Sequence, residues 1–225
     1  MAASAIPLFP VVRHLSKYVT PVLMALPVSA NQVTTASLLA GLAACWSAAQ
    51  GTHGWAVASG VLMVVCYVLD NCDGEVARQK NQCSTFGMHY DTFVDWMVHA
   101  AFFIALGIGA ERAFASKIWF YLGLIAAVGA TINYVLGLAL DARDRKAAMA
   151  APPTADDDGK AYRHPDGLID YAVYVFRELT RADFCFIVLA LAAFDLAWLL
   201  VPFGAVGSQV YWIAQLVRGA RDFHV

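Results

Sequence analysis

Charge is what this chain of 225 residues has least of. Lysine, arginine, aspartate and glutamate together supply 14% of it, where soluble domains run near a quarter. That is too little polar surface to keep a domain of this size dissolved, so an ordinary soluble fold is excluded. An excess of positive charge is also missing. The formal net charge of −2 argues against any nucleic-acid partner. The five cysteines show no CxxC spacing, which excludes a disulfide framework and a zinc site. Most of them sit in apolar stretches, where cysteine acts as a small hydrophobe. No signal peptide is legible either. The apolar start at residues 6–12 contains Pro7 and Pro10 and runs into Arg13, His14 and Lys17 rather than a small-residue cleavage site.

Apolar residues fill the space that charge leaves. They make up 60% of the chain, and its mean hydropathy is +0.59. A spanning helix needs about 20 mainly apolar residues, and six segments qualify, near 33–50, 54–77, 89–110, 117–141, 179–194 and 196–218. The expected fold is therefore an all-α integral membrane bundle of six transmembrane helices. An N-terminal interfacial amphipathic helix precedes them from about Pro10, with Val11, Leu15 and Tyr18 on its apolar face and Arg13, Ser16 and Lys17 off it. Pro21 is expected to kink or end that helix. Two units follow: residues 1–30 as interfacial helix and lead-in, and 31–225 as the membrane domain. Within the latter, the one long connection, 142–178, reads as a solvated cytoplasmic loop. Of the 15 lysines and arginines, all but Arg112 and Lys117 fall on one side of this topology. Cations mark the cytoplasmic side, so both termini are expected there.

The second span then descends to the cytoplasm carrying Asp70, Asp73, Gly74, Ala77 and Arg78, and the third leaves it carrying Gly87, Asp91 and Asp95. Each set shares one helical face. Four carboxylates thus meet near one membrane surface, where unpaired they are costly and repel one another. Arg78 alone cannot neutralise them; hard divalent cations such as Mg²⁺ or Mn²⁺ can. Gly74 and Gly87 let a ligand approach bare backbone. Metal ions, an arginine fork and exposed backbone together suit a diphosphate. A structural polar cluster lacks enough basic partners nearby, and an ion-coupled transporter, the remote alternative, would not call for the glycines and arginine at this spacing.

These residues, Asp70-Asn71-Cys72-Asp73-Gly74-Glu75-Val76-Ala77-Arg78, then eight residues, then Gly87 to Asp95, resemble the signature of the CDP-alcohol phosphotransferase family, DxxDGxxAR followed by GxxxDxxxD. Ser29-Ala30-Asn31-Gln32-Val33-Thr34 is similar to that family's PNxxT segment, with Ala30 in place of the proline. The resemblance implies that Asp70, Asp73, Asp91 and Asp95 hold two Mg²⁺ or Mn²⁺ ions and that Asp95 is the catalytic base. It implies that Asn31, Thr34, Gly74, Ala77, Arg78 and Gly87 bind the CDP part. The reaction it implies is metal-dependent transfer of a substituted phosphate from a CDP-linked donor to an alcohol acceptor, releasing CMP, in phospholipid biosynthesis. CDP-diacylglycerol is the favoured donor; the alternative is a small CDP-alcohol of the CDP-inositol or CDP-choline type acting on a lipid or soluble alcohol. No nucleotidyltransferase domain is legible here, so the donor is expected ready-made. Membrane lipid is an expected partner, nucleic acid is not, and a homodimer, common in the family, is expected as well.

Other residues are read more plainly. His99, one turn after Asp95, either tunes Asp95 by a hydrogen bond or satisfies an ordinary helix contact. Glu75, off the metal face, is expected in solvent or paired with Lys80, and His89 is expected to be structural or at the surface. The six tryptophans, with the tyrosines, read as interface anchors and packing. Gly107 and Gly109, with Gly123 and Gly129, are expected to let the third and fourth spans pack closely.

Overall fold

The computed structural model describes residues 10–150 and 183–218. Its helices are α1 (Val12–Ala25), α2 (Ala30–Ala48), α3 (His53–Gln79), α4 (Thr85–Phe114), α5 (Ile118–Ala150), α6 (Phe184–Ala193) and α7 (Leu200–Arg218), with a short 3₁₀ turn at Ala197–Leu199 before the last. His53–Gln79, Thr85–Phe114 and Ile118–Leu140 are long and apolar enough to cross a membrane; Phe184–Ala193 and Ala197–Ile213 are shorter apolar helices. The expected long connection differs from the structure at its start. Residues 142–150 continue α5 as helix, in keeping with their alanines, arginines and lysine, all good helix formers. The rest of that connection, and the first residues of the expected fifth span, lie outside the described residues.

Local signals set the helix ends. Ser29 and Gln32 form a capping box at the start of α2: the Ser29 hydroxyl accepts from the Gln32 backbone N–H, and the Gln32 side chain accepts from Ser29. Ser84 caps α4 by accepting from the Gly87 N–H at 3.0 Å. Between α3 and α4 the chain reverses through Asn81 at φ +54°, a left-handed conformation that asparagine tolerates. After α2, Gly51 turns the chain at φ +71°, and a Cβ there would lie 2.5 Å from the Gly109 carbonyl oxygen.

The lateral order is not the chain order. α2 packs on both α3 and α4; α5 packs on α4, α7 on α5, α6 on α3 and α1 on α3. Among the described residues, α3 and α4 have no comparable packing on each other, so α2 sits as a wedge between the two helices that carry the acidic signature. Small residues allow this. A Cβ at Gly41 would lie 2.6 Å from the Val98 side chain, and Ala44, Cys45 and Ala48 line the core with Met63, Cys66, Val98 and Phe102. Gly107 and Gly123 bring α4 and α5 together as expected: a Cβ on either would lie within about 3.1 Å of the other's Cα. Gly109 instead faces the end of α2, and Gly129 faces Ser208 and Gln209 of α7. At the end of the bundle away from the acidic residues, Trp46 meets Trp55 edge-on at 4.9 Å, and Trp119 lies 5.1 Å from Phe114 and 5.7 Å from Trp198.

The first helix does not end at Pro21 but runs on to Ala25, and carbonyls at and just beyond its end find an outside donor. Lys80, just past the end of α3, supplies it, its ammonium donating to Leu23, Leu26 and Val28 carbonyls at 3.4, 2.9 and 2.8 Å. Lys80 is therefore not the partner of Glu75. Ser16 and Thr20 of α1 turn inward and donate their hydroxyls to Glu75 at 2.7 and 2.6 Å. The apolar face, with Leu15, Tyr18 and Val22, is exposed. At the other end of α1, the fully buried Asp183 accepts from the Val11 and Val12 N–H groups at 2.7 and 2.9 Å, placing negative charge at the positive end of the helix dipole.

Candidate active site

The carboxylates stand where α3 ends and α4 begins. Asp73 and Asp91 each lie about 9 Å of helix rise from the Lys80–Ser84 turn; Asp70 and Asp95 lie roughly a turn deeper. Oxygens of Asp70, Asp73 and Asp91 fall within 4.8 Å of one another. Asp95 is not part of that triad, but it is near enough to Asp70 and Asp91 to act on both electrostatically. Asp73 is buried and the other three are half-buried. Among the described residues no lysine or arginine is paired with any of them. Three hard oxygen donors that converge without a cationic side chain fit a Mg²⁺ or Mn²⁺ ion.

The surroundings bring in most of the remaining signature. Arg78 is exposed at the rim, and its guanidinium folds back over Gly74: a Cβ there would lie 3.3 Å from Nη1. Ala77 is half-buried on the Asp73 side of α3. Across the site, a Cβ at Gly87 would lie 3.2 Å from Asn31 Oδ1 and 3.2 Å from Ser84 Oγ, so Asn31 of α2 reaches the start of α4. The structure thus brings the upstream Asn31–Thr34 segment to the same place as the two halves of the main signature. A short, Cβ-free approach flanked by an arginine and an amide can admit a phosphate group close to backbone.

Two site residues are occupied differently from a simple ligand contact. Thr34 is buried and donates its hydroxyl to Asp73 Oδ2. His99 bonds the Asp95 backbone rather than its carboxylate, with Nδ1 2.7 Å from the carbonyl oxygen. A carbonyl only accepts, so Nδ1 carries the proton and Nε2 accepts from the Tyr67 hydroxyl at 2.7 Å. His89 is exposed, as expected.

Sequence reasoning missed several partners. Tyr67 lies one turn before Asp70, a spacing that marks it as a neighbour of the site. Thr35 reaches the Tyr90 hydroxyl of α4 at 3.0 Å, and Gln82 accepts from the Ala30 N–H at 2.8 Å. Neither has a local signal in the sequence. The capping box of Ser29 and Gln32 does, in its Ser-x-x-Gln spacing.

Comparison with known proteins decides the family. The family model described as CDP-alcohol phosphatidyltransferase matches residues 27–206. The chain belongs to the CDP-alcohol phosphatidyltransferase family. A relative, the bifunctional IPC transferase and DIPP synthase of Thermococcus kodakarensis, is 26% identical over 123 residues, which take in 53% of this chain and 27% of the relative. This chain thus corresponds to about a quarter of that protein's length. The matched residues of this CDP-alcohol phosphatidyltransferase take in α2, α3 and α4 whole, and with them Asp70, Asp73, Asp91 and Asp95.

Proposed function

We propose that this protein transfers a substituted phosphate group from a CDP-linked donor, CDP-diacylglycerol in the first instance, to the hydroxyl of an alcohol, releasing CMP. The observation that carries the proposal is the convergence of Asp70, Asp73 and Asp91 oxygens within 4.8 Å, beside Arg78, Gly74, Gly87 and Asn31. Asp70, Asp73, Asp91 and Asp95 hold two divalent ions in this reading. Such ions, when bound, neutralise the diphosphate and the departing phosphate. Arg78 grips a phosphate oxygen from the rim, while Gly74, Ala77 and Gly87 leave room for the CDP part and Asn31 orients it. Asp95 takes the proton from the acceptor hydroxyl. The freed oxygen bonds to the phosphorus distal to cytidine, the bond from that phosphorus to the bridging oxygen breaks, and CMP leaves.

The same reading places the protein in a membrane with six crossings, α1 lying at the interface on its exposed Leu15, Tyr18 and Val22, and the site and termini facing the cytoplasm. The small-CDP-alcohol alternative shares every one of these residues. One assay addresses both. The purified chain is given CDP-diacylglycerol or a small CDP-alcohol, a panel of alcohol acceptors, and Mg²⁺, Mn²⁺ or EDTA, and CMP release is measured. Release with one donor class that stops in EDTA and returns with metal is the expected result. No CMP from any pair, with ion flux in sealed vesicles instead, would overturn it.

A further inference from the structure

The Thr34 hydroxyl has two acceptors in reach, the Ala30 carbonyl at 3.2 Å and Asp73 Oδ2, and Asp73 is the nearer. It has only one proton to give. Thr34 is 3% exposed and Asp73 6%, so the bond between them is closed off from solvent. The bond spans two helices, and α2 meets α4 and the turn before it at three further points: the Ala30 N–H on Gln82 of the turn, and Asn31 against Gly87 and Thr35 on Tyr90 of α4. A β-branched side chain on an anchored helix has little rotamer freedom. Three carboxylates crowded without a cation repel one another, and the Thr34 hydroxyl opposes that repulsion at Asp73.

We propose that Thr34 is a positioning residue for metal capture: from the α2 wedge its hydroxyl holds the Asp73 carboxylate turned toward Asp70 and Asp91. This rests on the metal-centre reading above and gives Thr34 a role other than contact with CDP. Loss of the hydroxyl frees Asp73 to rotate, and the site then assembles only when excess cation pulls it together. Partners that orient metal ligands typically change metal affinity about 10- to 100-fold when removed.

The test uses the purified full chain in detergent without nucleotide, with Mn²⁺ uptake followed by electron paramagnetic resonance and folding by thermal unfolding. Thr34→Val should weaken Mn²⁺ binding about 10-fold or more, with kcat largely recovered at high Mn²⁺. Thr34→Ser, which restores the hydroxyl, should bind within a few-fold of the natural chain, and Ser47→Ala, at the far end of α2 where the hydroxyl serves only the Ala43 carbonyl of its own helix, should bind as the natural chain does. Thr34→Ala takes the place of Thr34→Val should the latter misfold. Unchanged Mn²⁺ binding in Thr34→Val overturns the proposal, and so does a defect confined to the KM for the CDP donor, which would put Thr34 on the nucleotide. If the natural chain itself takes up no Mn²⁺, the metal-centre reading fails, a result distinct from either.

Discussion

Asp73 and Glu75 are two residues apart on α3 and face opposite sides of it, since two residues turn a helix by about 200°. On the α1 side, Glu75 accepts two hydroxyl hydrogen bonds, from Ser16 and Thr20. Nearby, Asp183 is fully buried and accepts two backbone N–H bonds. On the α2–α4 side, four carboxylates share a single hydroxyl partner, Thr34 on Asp73, and no cationic side chain among the described residues. Carboxylates that are fully satisfied by the protein hold the protein together. Those left facing one another are available to something else, and the divalent cation is what their chemistry suits. Acidity alone did not separate the two groups; partner supply did.

The largest test of this division is Asp95→Asn. CMP release should fall by about 10²–10⁴-fold, while circular dichroism and the elution profile in detergent stay unchanged. A variant that unfolds instead would move Asp95 to the structural side. On that other side, Asp183→Ala should leave the buried Val12 N–H and the half-buried Val11 N–H without their acceptor and cost about 1–3 kcal/mol, read as a lowered thermal midpoint, with activity per folded molecule kept. Glu75→Gln keeps one good acceptor for the two hydroxyls, so the expected cost is about 1 kcal/mol, again without loss of metal binding. Should Glu75→Gln abolish turnover at unchanged stability, the two faces of α3 are not separate in function. The smallest effect belongs to Lys80→Met, which removes the donor at the end of α1 and should cost about 0.3–1 kcal/mol in the same unfolding measurement.

Legibility of the site followed sequence distance. The Asp70–Arg78 and Gly87–Asp95 runs could be placed on helix faces because each lies within a few turns of one helix. The Lys80–Ser84 turn, short and reversed through Asn81 at positive φ, brings the two faces to one end. Tyr67 was within reach of the same argument and was passed over. The partners of Glu75 and of Asp73 were not legible: Ser16 and Thr20 lie 59 and 55 residues from Glu75, and Thr34 lies 39 from Asp73. Hydroxyl residues in an apolar helix can satisfy their own backbone, as Ser37 and Ser47 do here, so their presence does not announce a tertiary bond. Glu75, off the metal face, was expected in solvent or paired with Lys80. In the folded chain the open carbonyls at the end of α1 are the better match for three ammonium donors.

By itself the sequence determined an apolar, helical chain with four aspartates and two glycines set at helical spacing, since composition and periodicity along one helix are properties of the chain alone. Which helix separates α3 from α4, which carboxylates are satisfied, and where α1 is fastened were decided only on folding. Those features depend on small-residue contacts at Gly41 and on hydrogen bonds up to 172 residues apart, and no local pattern encodes a partner that distant.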